Sequence, residues 1–142
     1  MNAAVTIPLR NQLAEIARIS RLVEEFAAAH AISPDVVLCV NLALDEVITN
    51  VISYAYGDAR EHEIVTRLML EGDDVIVEVE DDGRAYNPLD APAVDLDTPA
   101  VDRPIGGLGI HIVRTVMDSL DYRRVDDRNV FVMRKAARRG AS

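Results

Sequence analysis

Leu44-Asp45-Glu46-Val47-Ile48-Thr49-Asn50 interrupts an otherwise apolar stretch with polar residues spaced four apart. On a helix, that spacing puts Glu46 and Asn50 on one face, as a polar notch in an apolar rod. Asparagine inside a helix costs about 0.6 kcal/mol relative to alanine, so its presence asks for a reason. An amide oxygen can act as a hard ligand for Mg²⁺, and a neighbouring carboxylate can accept a proton from an attacking hydroxyl. A solvated helix face would present the same pair.

Working outward, Ser33-Pro34-Asp35 reads as the start of this helix, with serine placed to cap the free amides and proline at the first position. The helix is expected to run to about Tyr56 and end near Gly57. Upstream, residues 3–7 read as a short strand. Residues 8–30 read as a helix, with Leu13, Ile16, Ala17, Ile19, Leu22, Val23 and Phe26 at helical spacing as core positions. Downstream, residues 63–70 and 74–80 form a hairpin around Glu71-Gly72-Asp73. Residues 84–105 hold four of the six prolines and four aspartates, the signature of a lid. A third helix over residues 106–120 and a last hairpin, 121–125 with 129–134, close the chain, and residues 136–142 read as a frayed tail. The order β-α-α-β-β-lid-α-β-β predicts an α+β two-layer sandwich, three helices covering one face of a mixed, mostly antiparallel sheet. Residues 1–135 are expected to make one domain.

Composition narrows the function. The chain has 142 residues, 49% of them apolar, enough for one core without metals or disulfides. Its formal charge of −9 argues against a domain built to neutralise nucleic-acid phosphates. The only lysine is Lys135, which excludes a P-loop, a Schiff-base enzyme and a kinase of the eukaryotic type. The single cysteine, Cys39, reads as part of a buried helix face and fits a reducing compartment. With no targeting segment and an apolar run from Val36 to Leu44 far short of the roughly 20 residues that span a bilayer, a cytoplasmic protein with no membrane association is expected.

Two further stretches carry chemistry. Asp81 closes the strand Ile76-Val77-Glu78-Val79-Glu80, and Gly83 follows two residues later. A carboxylate held rigidly at a strand end can accept from the exocyclic amine of adenine, where guanine presents a carbonyl. Gly83 would let a base approach the backbone. An ordinary Asp-Asp-Gly turn has the same sequence. Gly106-Gly107-Leu108-Gly109 opens the third helix. Its amides and the helix dipole can hold phosphate without lysine, although glycine also serves tight turns.

Taken in order, Glu-x3-Asn, Asp-x-Gly, a proline-rich lid and Gly-Gly-Leu-Gly make one pattern, and with it the chain resembles the GHKL ATPase superfamily, which has the Bergerat fold. Within that superfamily it is most similar to the bacterial anti-sigma factor serine/threonine-protein kinases. The resemblance implies ATP and Mg²⁺ as cofactors. It makes Asn50 the Mg²⁺ ligand, Glu46 the general base for the acceptor hydroxyl, and Asp81 the holder of the adenine amine. It places Gly83 beside the base and wraps Gly106, Gly107, Leu108 and Gly109 around the phosphates, with Arg103 from the lid. It also implies a homodimer, a STAS-domain anti-sigma factor antagonist as phosphoacceptor and a sigma factor as second partner.

Two positions depart from the pattern. Ala85 stands where the wider superfamily has the second glycine of Asp-x-Gly-x-Gly. The lid sets Asp90, Asp95, Asp97 and Asp102 against Arg84 and Arg103. An interaction module that binds ATP and captures a sigma factor or STAS partner without phosphotransfer is the alternative reading. The catalytic half of a sensor histidine kinase is a third.

Overall fold

The computed structural model describes residues 3–57, 60–90 and 107–137. Strand β1 (Ala3–Arg10) is followed by helices α1 (Glu15–Ala29) and α2 (Pro34–Tyr54) and by strands β2 (Glu63–Glu71) and β3 (Asp74–Asp81). A short 3₁₀ turn (Pro88–Asp90), helix α3 (Gly107–Val116) and strands β4 (Ser119–Val125) and β5 (Arg128–Ala136) complete it.

The five strands form one sheet in the order β1-β2-β3-β5-β4. Every neighbouring pair is antiparallel, so the sheet is not the mixed one expected. The expected two-layer α+β sandwich of the Bergerat type holds. Alternation along the strands sends Leu9, Ile64, Leu68, Val77, Val79 and Met133 to the inner face, where they meet Ile19, Val40, Leu44, Ile48 and Val113 from the helices. Helix α2 lies between α1 and α3. The outer face of the sheet carries charge: Arg67 reaches both Glu78 and Glu80, and Arg128 Nε lies 2.6 Å from Glu80 Oε2.

Four boundaries differ from the sequence reading, each for a local reason. Pro8 continues β1 instead of starting a helix. It pairs with Val65 on an edge strand, where a missing N–H is tolerated. Helix α1 therefore begins only at Glu15, whose carboxylate accepts from the Arg10 amide, and Leu13 is left 61% exposed outside the helix. Ser33 sits at the N-cap of α2 in extended conformation, but its side chain makes no capping bond; its carbonyl accepts from the amides of Val36 and Val37 instead. Ser119 and Leu120 belong to β4, not α3. Ala136 ends β5 and Ala137 is buried, so the core reaches past the expected boundary at residue 135. Residues 138–142 lie outside the described residues.

Helix α2 deserves a separate correction. Its 21 residues are long and apolar enough to cross a membrane by length and composition, contrary to the sequence estimate. One face, with Val36, Val40, Ala43, Leu44, Val47 and Ile48, is buried in the core. The opposite face is not: Leu38 is 61% exposed and Cys39 only half-buried, so the stretch around Cys39 is not the buried face expected.

Both hairpins close through two-residue turns. Gly72 adopts φ 58° between Glu71 and Asp74, and Asp126 and Asp127 adopt φ 50° and 62° between Val125 and Arg128. Two consecutive residues of positive φ make the turn whose twist suits a hairpin, and aspartate tolerates that region better than most side chains.

Candidate functional site

Asp81 ends β3 with its carboxylate 3% exposed. The sheet holds its backbone, and two hydrogen bonds hold its side chain. Oδ1 accepts from the Gly83 amide at 2.9 Å and from Asn129 Nδ2 at 3.0 Å. Burial pushes the carboxyl above the usual aspartate range, against the pull of those two bonds. Asp81 lies in the wall of a cleft. Val47, Asn50, Val51 and Ala55 of α2 form one side of it, Ile110 and Val113 of α3 another, and Val79, Tyr122, Asn129 and Phe131 of the sheet the floor, with Tyr86 and Pro88 beside them. The lining is mostly apolar with a few convergent polar groups, the chemistry of a pocket for a flat, partly polar ring.

Asn50 lines this cleft and bonds to Glu46 through its side chain. Of the two residues, Asn50 touches the cleft; Glu46 lies one helical turn before it, outside the lining. Burial raises the Glu46 carboxyl first, the neighbouring Asp45 charge adds to that, and the bond to Asn50 opposes it. A carboxylate raised in this way is better matched to accepting a proton near neutral pH.

Packing alone requires a glycine at position 83. It packs against the end of α2, and a Cβ built on it would stand 2.5 Å from both Cβ and the carbonyl oxygen of Ala55. The close approach is of backbone to backbone. The next residue cements it: Arg84 donates from its amide to Ala55 O at 2.9 Å and from Nε to Tyr54 O at 2.8 Å. Gly83→Ala is expected to lower stability by about 1–3 kcal/mol, the usual cost of forced overpacking. A thermal melt should show it as a fall of several degrees for a domain of this size.

Gly107, Leu108 and Gly109 form the first turn of α3, so the glycine-rich segment does open a helix. Gly106 and Arg103 lie outside the described residues, as does the lid beyond residue 90. His111 is exposed. Among the described residues no group of three or more histidine, cysteine, aspartate or glutamate side chains could hold a metal. A divalent cation here would therefore be held by Asn50 with oxygens from a bound ligand and water, which is the habit of Mg²⁺.

The sequence reading missed Asn129, Tyr122, Tyr86 and Arg124. Asn129 is 5% exposed and stands opposite Asp81 in the β3–β5 ladder. The two are 48 residues apart in the chain, so no local signal joins them.

Comparison with known proteins agrees with this geometry. The chain is 30% identical over 90 residues to the serine/threonine-protein kinase BtrW of Bordetella bronchiseptica, covering 63% of each chain. It is 24% identical over 118 residues to the serine-protein kinase RsbW of Listeria monocytogenes, covering 80% of this chain and 74% of that one. The crystal structure of the RsbU and RsbW domains of Rv1364c from Mycobacterium tuberculosis superposes with a TM-score of 0.70 at 15% identity, over 98% of this chain and 34% of that one. The histidine kinase domain of the Erythrobacter litoralis EL346 blue-light activated histidine kinase gives 0.53 at 20% identity, over 87% of this chain and 60% of that one. These likenesses show the fold. The sequence profile of the histidine kinase-like ATPase domain matches residues 9–135, nearly the whole of the sheet and its three helices, and the chain belongs to that family.

Proposed function

We propose that this chain is an ATP- and Mg²⁺-dependent serine/threonine-protein kinase of the anti-sigma type, which phosphorylates a STAS-type antagonist and otherwise sequesters a sigma factor. The observation that carries the reading is one apolar cleft lined by a buried, rigidly held Asp81 and by Asn50, with Glu46 one helical turn before Asn50 on α2. The names of BtrW and RsbW as serine/threonine- and serine-protein kinases support it.

In this reading Asp81 accepts the amine of adenine, and the apolar walls sandwich the ring. Asn50 holds the Mg²⁺, and the amides of the first turn of α3 face the phosphates. Bound Mg-ATP supplies the transferable phosphoryl group and most of the charge neutralisation its transfer requires. Glu46 accepts the proton of the acceptor hydroxyl. Gly106 and Arg103 are assigned to the phosphates by resemblance alone. Cytoplasmic location and a homodimer belong to the same proposal.

A second reading keeps the ATP site and drops the transfer. It is favoured by Arg84, one of the two lid cations, whose guanidinium donates from Nε to the carbonyl of Tyr54 at the end of α2 and so is engaged away from phosphate chemistry. Incubation with γ-labelled ATP and a purified STAS domain separates the two. Acid-stable label on serine or threonine of the STAS domain is the expected result. ATP binding with no label on the partner would establish the sequestering module, and acid-labile label on a histidine would replace both.

A further inference from the structure

Asn129 has five polar contacts, and they dictate its chemistry. Its Nδ2 donates to Asp81 Oδ1 at 3.0 Å and to the carbonyl of Arg84 at 2.8 Å. Its Oδ1 accepts from the Tyr122 hydroxyl, from Arg124 Nη1 at 3.1 Å and from the Tyr86 amide at 3.3 Å. On the nitrogen side both partners, taking Asp81 as ionised, are acceptors; on the oxygen side Arg124 and the Tyr86 amide can only donate. One orientation of a primary amide satisfies all of them. A carboxylate lacks the donors and an apolar isostere lacks everything.

The network reaches further through Arg124, whose Nη1 also donates to Gly83 O at 2.8 Å. Asn129 thus joins β3, β4, β5 and the first residues after β3 at a single buried point. Among the described residues, both hydrogen bonds given to Asp81 fall on Oδ1. The carboxylate is pinned about its last torsion, and Oδ2 is the oxygen left for a ligand in the cleft.

We propose that Asn129 is the positioning residue for base recognition: it clamps Oδ1 of Asp81 so that Oδ2 alone meets the purine, and it ties that clamp to the root of the lid through Arg84 and Tyr86. The inference rests on the ATP-binding reading and deepens it by naming what makes one carboxylate oxygen selective. A freely turning carboxylate would present either oxygen at varying angles and would distinguish an amine from a carbonyl less well.

Asn129→Asp is the informative variant, because it keeps shape and every acceptor contact while replacing the donor with a group that donates only when protonated. The titratable and charged groups around it are Asp81 and Asp82 of β3 and its end, Arg84 and Tyr86 beyond, and Tyr122 and Arg124 of β4. Helices α2 and α3 contribute only uncharged side chains to the cleft. Two facing carboxylates share a proton more readily than either holds one alone. At pH 8 the variant is therefore expected to bind ATP about tenfold more weakly than wild type, with less preference over GTP, the size of one lost charge-assisted bond. Toward pH 6 the shared proton restores the clamp and affinity returns, while wild type gains nothing over the same span. A residue that merely fills space would show no such recovery.

Calorimetric titration of Mg-ATP and Mg-GTP into folded wild type and variant at both pH values reads all of this. Variant affinities equal to wild type at pH 8, or a loss that acid does not repair, overturn the assignment of Asn129 alone. No binding of either nucleotide to wild type overturns the ATP reading and this inference with it. Should the variant not fold, the side-chain amide protons of Asn129 in wild type carry the test by NMR. Their shifts are expected to follow the ionisation of Asp81, with a midpoint that ATP moves to lower pH; shifts that do not follow it refute the clamp.

Discussion

Asp81→Asn should lose about 10- to 100-fold in affinity for Mg-ATP while folding at least as well as wild type. The hydrogen bond from a base amine to an ionised, water-excluded carboxylate belongs to the stronger class, about 1.5–3 kcal/mol, and each 1.4 kcal/mol is tenfold. In the variant the amide oxygen takes over the contacts from Gly83 and Asn129, which only donate. The new NH₂ then occupies the place of Oδ2 and meets the adenine amine donor to donor. Guanine, with a carbonyl at that position, suffers no such clash, so the ratio of ATP to GTP affinity should fall.

The same residue sets a pH dependence with a definite sign. Burial raises the folded-state pKa of Asp81, so the folded protein holds that proton more tightly than the unfolded chain. Its contribution to stability is fully present below the unfolded value of about 3.9 and is lost as pH rises through the folded value. Ligand binding runs the other way, since the ionised form is the acceptor, and ATP affinity should weaken as pH falls through that value. Asp81→Asn removes the buried charge, and its melting temperature at neutral pH is expected to match or exceed that of wild type. A lower melting temperature together with undiminished ATP affinity would remove Asp81 from the base-reading role.

Glu46→Gln should cut phosphotransfer to a STAS acceptor by about 10²–10⁴-fold, the usual worth of a general base, with ATP affinity nearly unchanged. Glutamine preserves size and can still bond to Asn50, so the notch survives without its proton acceptor. Because burial and Asp45 raise the Glu46 carboxyl, the wild-type rate should climb with pH through that raised value and then level off. The variant should lack this limb. Full activity in Glu46→Gln, or a rate independent of pH in wild type, would require another base.

Local chemistry carried the sequence reading where it succeeded. The Glu46–Asn50 notch follows from helical period alone, and Asp81 at a strand end follows from the β-branched run before it. Asn50 and Asp81 line the cleft. The failures share a cause, which is that the deciding partner is remote in the chain. Pro8 reads as a helix start until β1 is known to be an edge strand. Asn129 reads only as the first residue of a strand, because only the pairing of β3 with β5 sets it across from Asp81.

That pairing has a consequence for mutational tolerance. Asp81 faces Asn129 because β5 is in register, and successive residues of a strand point to opposite faces. A slip of one residue would bring Arg128 or Val130 opposite Asp81, neither of which can supply the paired donor and acceptor of an amide. The left-handed turn at Asp126 and Asp127, itself outside the cleft, sits next to Asn129 and sets the β4–β5 register that places Arg124 across from it. Drift in nucleotide preference among variants of this chain should therefore arise not only at the cleft but also at these two solvent-facing aspartates, where a β-branched replacement rewrites the frame in which the cleft is read.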